Sequence, residues 1–365
     1  MQNLFGGIYK GKTVLITGHT GFKGSWLALW LNQMGANVVG YSLEAPTEPN
    51  HIGLLNFDIT SIVGDIRDLD ALNQTFATYK PDIVFHLAAQ ALVRLSYENP
   101  IETYETNVMG TLKVFEACRT HNVKAIVNIT SDKAYENREW VWGYRENDPM
   151  GGYDPYSSSK GCADILANSY RSSYFNPHEY TKSHNTLLAS CRAGNVIGGG
   201  DWAKDRLMTD IMLSVSKGVK VSIRNPNATR PWQHVLEPLS GYLAIGQKLL
   251  EEKAEFGDAW NFGPSDEGSI TVEEVVNHVK KHWDKIDYEI SRDPNQLHEA
   301  NLLKLDCSKA HIVLKWKDVW DSDTTFEKTV LWYRDFYEKD IVTTTQNLQD
   351  YIENAREKNI TWARG

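Results

Sequence analysis

The chain has 365 residues, 41% of them hydrophobic and 23% charged, with 38 Lys and Arg against 47 Asp and Glu for a formal net charge of −9. That size and balance suit one large α/β unit or two modest ones with a real core, and exclude a disordered or low-complexity chain. A mildly acidic chain without a basic run is a poor match for phosphate-led nucleic-acid binding or for anionic membranes, and no apolar stretch approaches the ~20 residues of a membrane helix.

Lys12 to Thr17 (KTVLIT) is a short, β-branched apolar run bounded by turn residues and reads as a buried strand. A helical period from about Trp26 to Met34 stops at Gly35. ANVVGYS and SIVGDI give the second and third strands, followed by a helix over DLDALNQTFATY. DIVFHLA (from Asp82) and KAIVNITS (from Lys124) are further buried strands, with a long helix from about Glu98 to Thr120 between them. Another helix runs from about Tyr156 to Tyr174, and TLLASCRAG (from Thr186) is a sixth strand. Repeated β-α-β units of this kind predict a Rossmann-type, doubly wound parallel sheet with helices on both faces.

After Arg192 the rhythm changes to Gly- and Trp-rich loops (GNVIGGGDW) and shorter elements. Residues 1–192 therefore read as mainly one domain, and 193–365 as mainly a smaller region packed on it across a cleft. AWNFGP (from Ala259) is expected to return to the main sheet, and Thr343 to Ala363 to form a polar helix. MQNLFGGIYKGK lacks the apolar core of a secretory signal, and Cys118, Cys162, Cys191 and Cys307 include no CxxC pair. These features predict a soluble protein of the reducing cytoplasm with no disulfide scaffold; no His/Cys/Asp/Glu spacing suggests a metal.

TGHTGFKG, with Gly18, Gly21 and Gly24, follows the first strand and opens a helix. Glycines there let the backbone turn tightly and approach a pyrophosphate, which the helix N-terminus favours. The position predicts dinucleotide binding, although the spacing is GxxGxxG rather than GxGxxG. The acid usually found about 20 residues on is missing: Tyr41 and Ser42 stand in its place, with Glu44 further along. No Arg is present to favour a 2′-phosphate, so NAD is expected over NADP. Asp65 and Ile66 end the third strand and are placed to flank the adenine, with a helix cap or loop acid as the plainer role for Asp65.

YSSSK puts Tyr156 and Lys160 on one helical face. A phenol with an ordinary pKa of about 10 is a poor base at neutral pH, and a nearby ammonium stabilises the phenolate. Downstream of a dinucleotide turn, this pair acquires a specific meaning.

With TGHTGFKG, HLAAQ (His86 to Gln90), Asn107, ITSDKAY and YSSSK in that order, the chain resembles the extended short-chain dehydrogenase/reductase superfamily along nearly its whole length. The resemblance implies that His19, Phe22, Lys23, Leu87, Ala88 and Ala89 line the cofactor, and that Ser131 holds the reacting sugar hydroxyl, with Thr130 as its rival. His86 reads instead as a hydrogen-bonded core histidine. Asp132 and Lys133 directly after Ser131 resemble the acid and base of sugar-nucleotide 4,6-dehydratases, most of which carry Asp-Glu there. With GNVIGGGDWAKDRL and RPWQHVLEPLSGYL, the chain resembles the dehydratases of CDP-glucose in particular.

On that likeness Tyr156, its pKa lowered by Lys160 and the nicotinamide charge, takes the 4-hydroxyl proton. Lys133 takes the carbon-5 proton and Asp132 protonates the leaving 6-hydroxyl, although which of the two is the base stays open. A loop salt pair is the plainer role for both. The likeness further implies that Arg192, Asn195 and Arg230 hold the nucleotide's phosphates, that Trp202 and Arg206 bracket cytosine, and that His298 and Glu299 close over the ribose. It also implies a homodimer through the helices near 98–120 and 156–174, and a place in making deoxysugars of surface polysaccharides. A nucleotide-sugar 4-epimerase, a dehydratase of another nucleotide-glucose and a non-catalytic NAD-binding regulator are the competing readings.

Overall fold

The computed structural model describes residues 1–223, 226–264, 269–291 and 302–364. The first half alternates β1 (Thr13–Thr17), α1 (Phe22–Gln33), β2 (Asn37–Ser42), α2 (His51–Leu54), β3 (Thr60–Val63), α3 (Leu69–Tyr79), β4 (Ile83–His86), α4 (Val93–Glu98), α5 (Pro100–Tyr104), α6 (Thr111–Thr120), β5 (Ala125–Ile129), α7 (Pro155–Ser173) and β6 (Leu187–Ala193). Then come β7 (Asn195–Ile197), α8 (Leu207–Ser216), β8 (Val221–Ile223), β9 (Thr229–His234), α9 (Leu236–Leu250), β10 (Ala259–Phe262), β11 (Ser269–Thr271), α10 (Val272–His282), β12 (Tyr288–Ile290), α11 (Ser322–Lys339) and α12 (Thr344–Glu357).

Seven strands form the main sheet in the order β10-β6-β5-β4-β1-β2-β3, every pair parallel. Strands covered on both faces read as near-continuous apolar runs, as β4 and β5 do apart from His86 and Asn128, each buried end to end. The winding reverses between β1 and β4, so their carboxyl ends open a crevice, the place where such sheets bind ligands.

Helix α1 is buried without a break from Gly24 to Leu31. Trp26 and Trp30 belong to the large core shared by the sheet, α9 and α12. A second core, built from α8, α10 and α11 around Met212, Val276, Phe326 and Trp332, supports the smaller lobe. Its strands are β11-β9-β7 and β12-β8. No helix among the described residues is long and apolar enough to cross a membrane.

Two elements differ from the sequence expectation. The long helix over 98–120 is interrupted: α4 ends at Glu98, α5 starts on Pro100, and Glu105–Gly110 is a π-helical turn before α6. Proline fits a first helical turn, where its missing N–H costs nothing. The wider π turn carries Asn107, which bonds Gln90 through both backbone groups (2.8 and 3.0 Å) and donates to Ser159 Oγ at 2.8 Å. The terminal helix α12 is not purely polar, since Leu348, Tyr351 and Ile352 enter the large core.

Candidate active site

A cleft of about 1770 Å³ follows the β1/β4 crevice and continues between the lobes. Gly18 adopts φ +78, and a β-carbon on it would sit 2.8 Å from the Ala88 nitrogen. A β-carbon on Gly24 would overlap the Gly18 carbonyl. Gly21 caps α1 without any side-chain bond, so the first-turn N–H groups face the cleft unclaimed. This cradle fits a dinucleotide diphosphate: its glycines let the chain approach closely, and it lies at the positive end of a helix. Phe22, Leu87, Ala89 and Ile66 line the same wall.

His19 does not face the cleft with its side chain, contrary to expectation. Its ring lies against Gly40, bonded to Ser61 Oγ at 2.7 Å and Ser42 Oγ at 3.0 Å, and burial lowers its pKa to about 4. Ser42 is thereby claimed by His19 and by Thr20 at 2.9 Å. Tyr41 turns its hydroxyl to the Asp65 carbonyl at 3.0 Å. Asp65 forms a fork with Arg67 (2.6 Å), whose hydrogen bonds hold the carboxyl below its usual range. His86 is the buried histidine expected, bonded to Thr17 (2.7 Å) and Thr111 (2.9 Å).

The chemistry-bearing side chains come from two element ends. After β5, Ser131 caps a 3-10 turn over Asp132–Ala134, accepting from the Lys133 N–H at 3.2 Å and donating to Asp132 Oδ1 at 3.0 Å. Burial raises the Asp132 carboxyl above its usual value, against the pull of Lys133, Ser131 and Arg230, so Asp132 is suited to carry a proton. Lys133, in the same turn, lines the cleft. Helix α7 is capped by Asp154, which takes the Ser157 N–H at 2.9 Å and sets Tyr156 in the first turn with Lys160 one turn on.

Burial pushes the Tyr156 phenol above its ordinary value; a hydrogen bond with Ser131 and the Arg206 charge pull it back, and Asp132 pushes it up. Within the protein alone, then, the phenol is raised rather than lowered, and Lys160 is not among the larger influences. The Lys160 ammonium donates to the Ile129 carbonyl at 3.2 Å, and burial lowers it to about 8.

Thr130 is removed as a rival to Ser131, because its hydroxyl is spent on Asp164 Oδ2 at 2.6 Å. Arg192 also goes elsewhere than expected. Its guanidinium forks onto Asp164 (3.1 Å twice) and donates to Tyr135 Oη at 2.6 Å, with the residue only 3% exposed. At that strand position the side chain meets α7 rather than the cleft, so it cannot hold a phosphate there. Asp164 was missed by the sequence reading; its signal was the spacing of one turn after Lys160. Removing one partner of a buried pair leaves an uncompensated charge, so Asp164→Ala is expected to cost about 3–5 kcal/mol in urea unfolding.

Asn195 and Arg230 do line the cleft, and Arg230 bears on Asp132. Trp202 touches it too, but its indole N–H is taken by Tyr337 at 2.9 Å and its ring packs on Trp332 and Phe336, so it belongs to the smaller core. Arg206 is paired with Asp201 at 2.7 Å and exerts its charge on Tyr156, nearer the reacting groups than a base-binding role implies. Arg94 of α4 reaches across to Asp205 at 3.4 Å, a second contact the sequence reading missed. His298 and Glu299 lie outside the described residues.

The sequence profile described as GDP-mannose 4,6 dehydratase matches residues 15–329. The CDP-glucose 4,6-dehydratase of Salmonella typhimurium is 54% identical over 349 residues, covering 94% of this chain and 97% of that one. Among solved structures, a UDP-glucose 4-epimerase of Thermotoga maritima with UDP-glucose superposes at TM-score 0.76 and 21% identity, covering 88% and 99% of the two chains. A UDP-glucose 4-epimerase of Thermus thermophilus in complex with NAD does so at TM-score 0.75 and 22% identity, covering 90% and 100%. These two share the fold, while the family rests on the profile and on the Salmonella relative: the chain belongs to the GDP-mannose 4,6-dehydratase family.

Proposed function

We propose that this protein removes water from CDP-D-glucose, with NAD as cofactor, to give CDP-4-dehydro-6-deoxy-D-glucose. The observation that carries the reading is the meeting of Tyr156, Lys160 and Ser131 with Asp132 and Lys133 in one cleft. The first three are equipment for oxidising an alcohol, the last two for eliminating water. The 54% identity to the Salmonella CDP-glucose enzyme supports CDP as the carrier. A 4-epimerase would have no use for an acid at Asp132 beside a base at Lys133.

NAD, when bound, supplies the capacity to accept hydride from carbon 4 and return it to carbon 6. The protein's own groups manage the protons. Ser131 holds the 4-hydroxyl and Tyr156 takes its proton, the phenol's burial being offset by the cofactor's positive ring once that is in place. The 4-ketone acidifies carbon 5, whose proton passes to Lys133. Asp132 gives its proton to the 6-hydroxyl, which leaves as water. Lys133 then returns a proton to carbon 5, and Ser131, bonded to both Tyr156 and Asp132, lies on the path that restores them.

On this reading residues 1–192 mainly hold the cofactor and 193–365 mainly the nucleotide sugar, through Asn195, Arg206 and Arg230. A homodimer through α5–α6 and α7 is supported by exposed Ile101, Tyr104, Met109 and Ile165 on those elements. The four cysteines stand as separate thiols, in keeping with a reducing cytoplasm. A ligand that binds the folded state raises its melting temperature. In a panel of CDP-, dTDP-, UDP- and GDP-glucose, CDP-glucose should give the largest rise, and NAD a larger one than NADP. A larger rise with another nucleotide would move the substrate.

A further inference from the structure

Lys23 sits in the first turn of α1, inside the glycine cradle. Three features of that position work against the fold. A cation there faces the positive end of the helix dipole. Burial, with Arg206 and Lys160 adding like-charge repulsion, pulls its ammonium down to about 8. Among the described residues, the ammonium has neither a hydrogen bond nor an ion pair. Asp132 and Asp201 act on it only through space, and Asp201 is already paired with Arg206. A local choice that opposes the helix dipole, burial and two neighbouring cations marks a functional position, and here it calls for an anion closer than Asp132 or Asp201 provides.

The surroundings say where that anion lies. The Lys23 backbone belongs to the cofactor's cradle, yet the residue lines the cleft together with Arg206 and Asp201 of the smaller lobe, Asp132 of the catalytic turn and Lys160 of α7, and theirs are the charges that act on its ammonium. We propose that the Lys23 ammonium is shared by the two ligands, set between the cofactor's diphosphate and the nucleotide sugar, so that each tightens the binding of the other. Two anions brought together repel; a cation between them offsets the repulsion, and the first ligand bound already orders the lysine for the second. The coupling is reciprocal by necessity. The proposal rests on the function given above and is tested apart from it.

The experiment titrates NAD by calorimetry with and without CDP, a ligand that cannot react, in the unaltered protein, Lys23→Met and Lys23→Arg. The unaltered protein should bind NAD about fivefold or more tighter with CDP present, within the usual range of coupling. Lys23→Met should lose that ratio, and Lys23→Arg should keep most of it. Unliganded Lys23→Met should melt no lower than the parent, since an unpaired charge has been removed. An unchanged ratio in Lys23→Met, equal weakening of NAD with and without CDP, or a lower melting temperature without ligand would each overturn the proposal. If the unaltered protein binds NAD but not CDP, the substrate reading fails instead, and the same ratio is measured with whichever nucleoside diphosphate it does bind.

Discussion

Tyr156→Phe is expected to lower kcat by about 10²- to 10⁴-fold, the range for a lost acid–base group, while NAD and CDP bind nearly as before. The ring still fills its place at the start of α7, so packing is kept and only the hydroxyl that meets Ser131 is lost. Because burial raises the phenol in the protein alone, the parent enzyme should lose activity as pH falls in the presence of NAD, and the variant's residual rate should show no such limb. Activity within about tenfold of the parent, roughly 1.4 kcal/mol of barrier, would remove Tyr156 as the base.

Lys133→Met should abolish product by a comparable factor, at a later point in the reaction. Loss of the carbon-5 base should stop exchange of the carbon-5 proton with heavy water as well as release of water. Asp132→Asn should behave differently if Asp132 is the acid, as its raised carboxyl suits it to be, retaining exchange while slowing elimination. Mass spectrometry of recovered sugar nucleotide separates the two. Exchange at the parent rate in Lys133→Met would assign the base to another group.

The difference between what the sequence disclosed and what it hid follows from the physics of each signal. β1, β4 and β5 are buried on both faces, so their apolar runs stand out, and the glycine turn after β1 is demanded by a positive φ and a close approach to Ala88. Tyr156 and Lys160 share a helical face wherever the helix lies. Side-chain direction at a strand end is another matter. Arg192, next to last in β6, faces α7 and finds Asp164, whereas Asn195, three residues on, reaches the cleft. His19 lies in the right turn but rotates under β2 to meet Ser42 and Ser61. The π turn at Glu105–Gly110 has no periodic signature of its own, because the bonds of Asn107 to Gln90 and Ser159 depend on tertiary neighbours.

On the proposed function, one cleft oxidises carbon 4, eliminates water and reduces carbon 6 before the sugar leaves, since fixed geometry makes the return step effectively unimolecular. The most direct test mixes CDP-glucose carrying deuterium at carbon 4 with CDP-glucose carrying heavy carbon elsewhere in the sugar. With only catalytic NAD present, deuterium should appear at carbon 6 of the 6-deoxy product, and only in molecules without the heavy-carbon label. Deuterium crossing extensively into the heavy-carbon product, or a product that loses deuterium and keeps its 6-hydroxyl, would contradict the account.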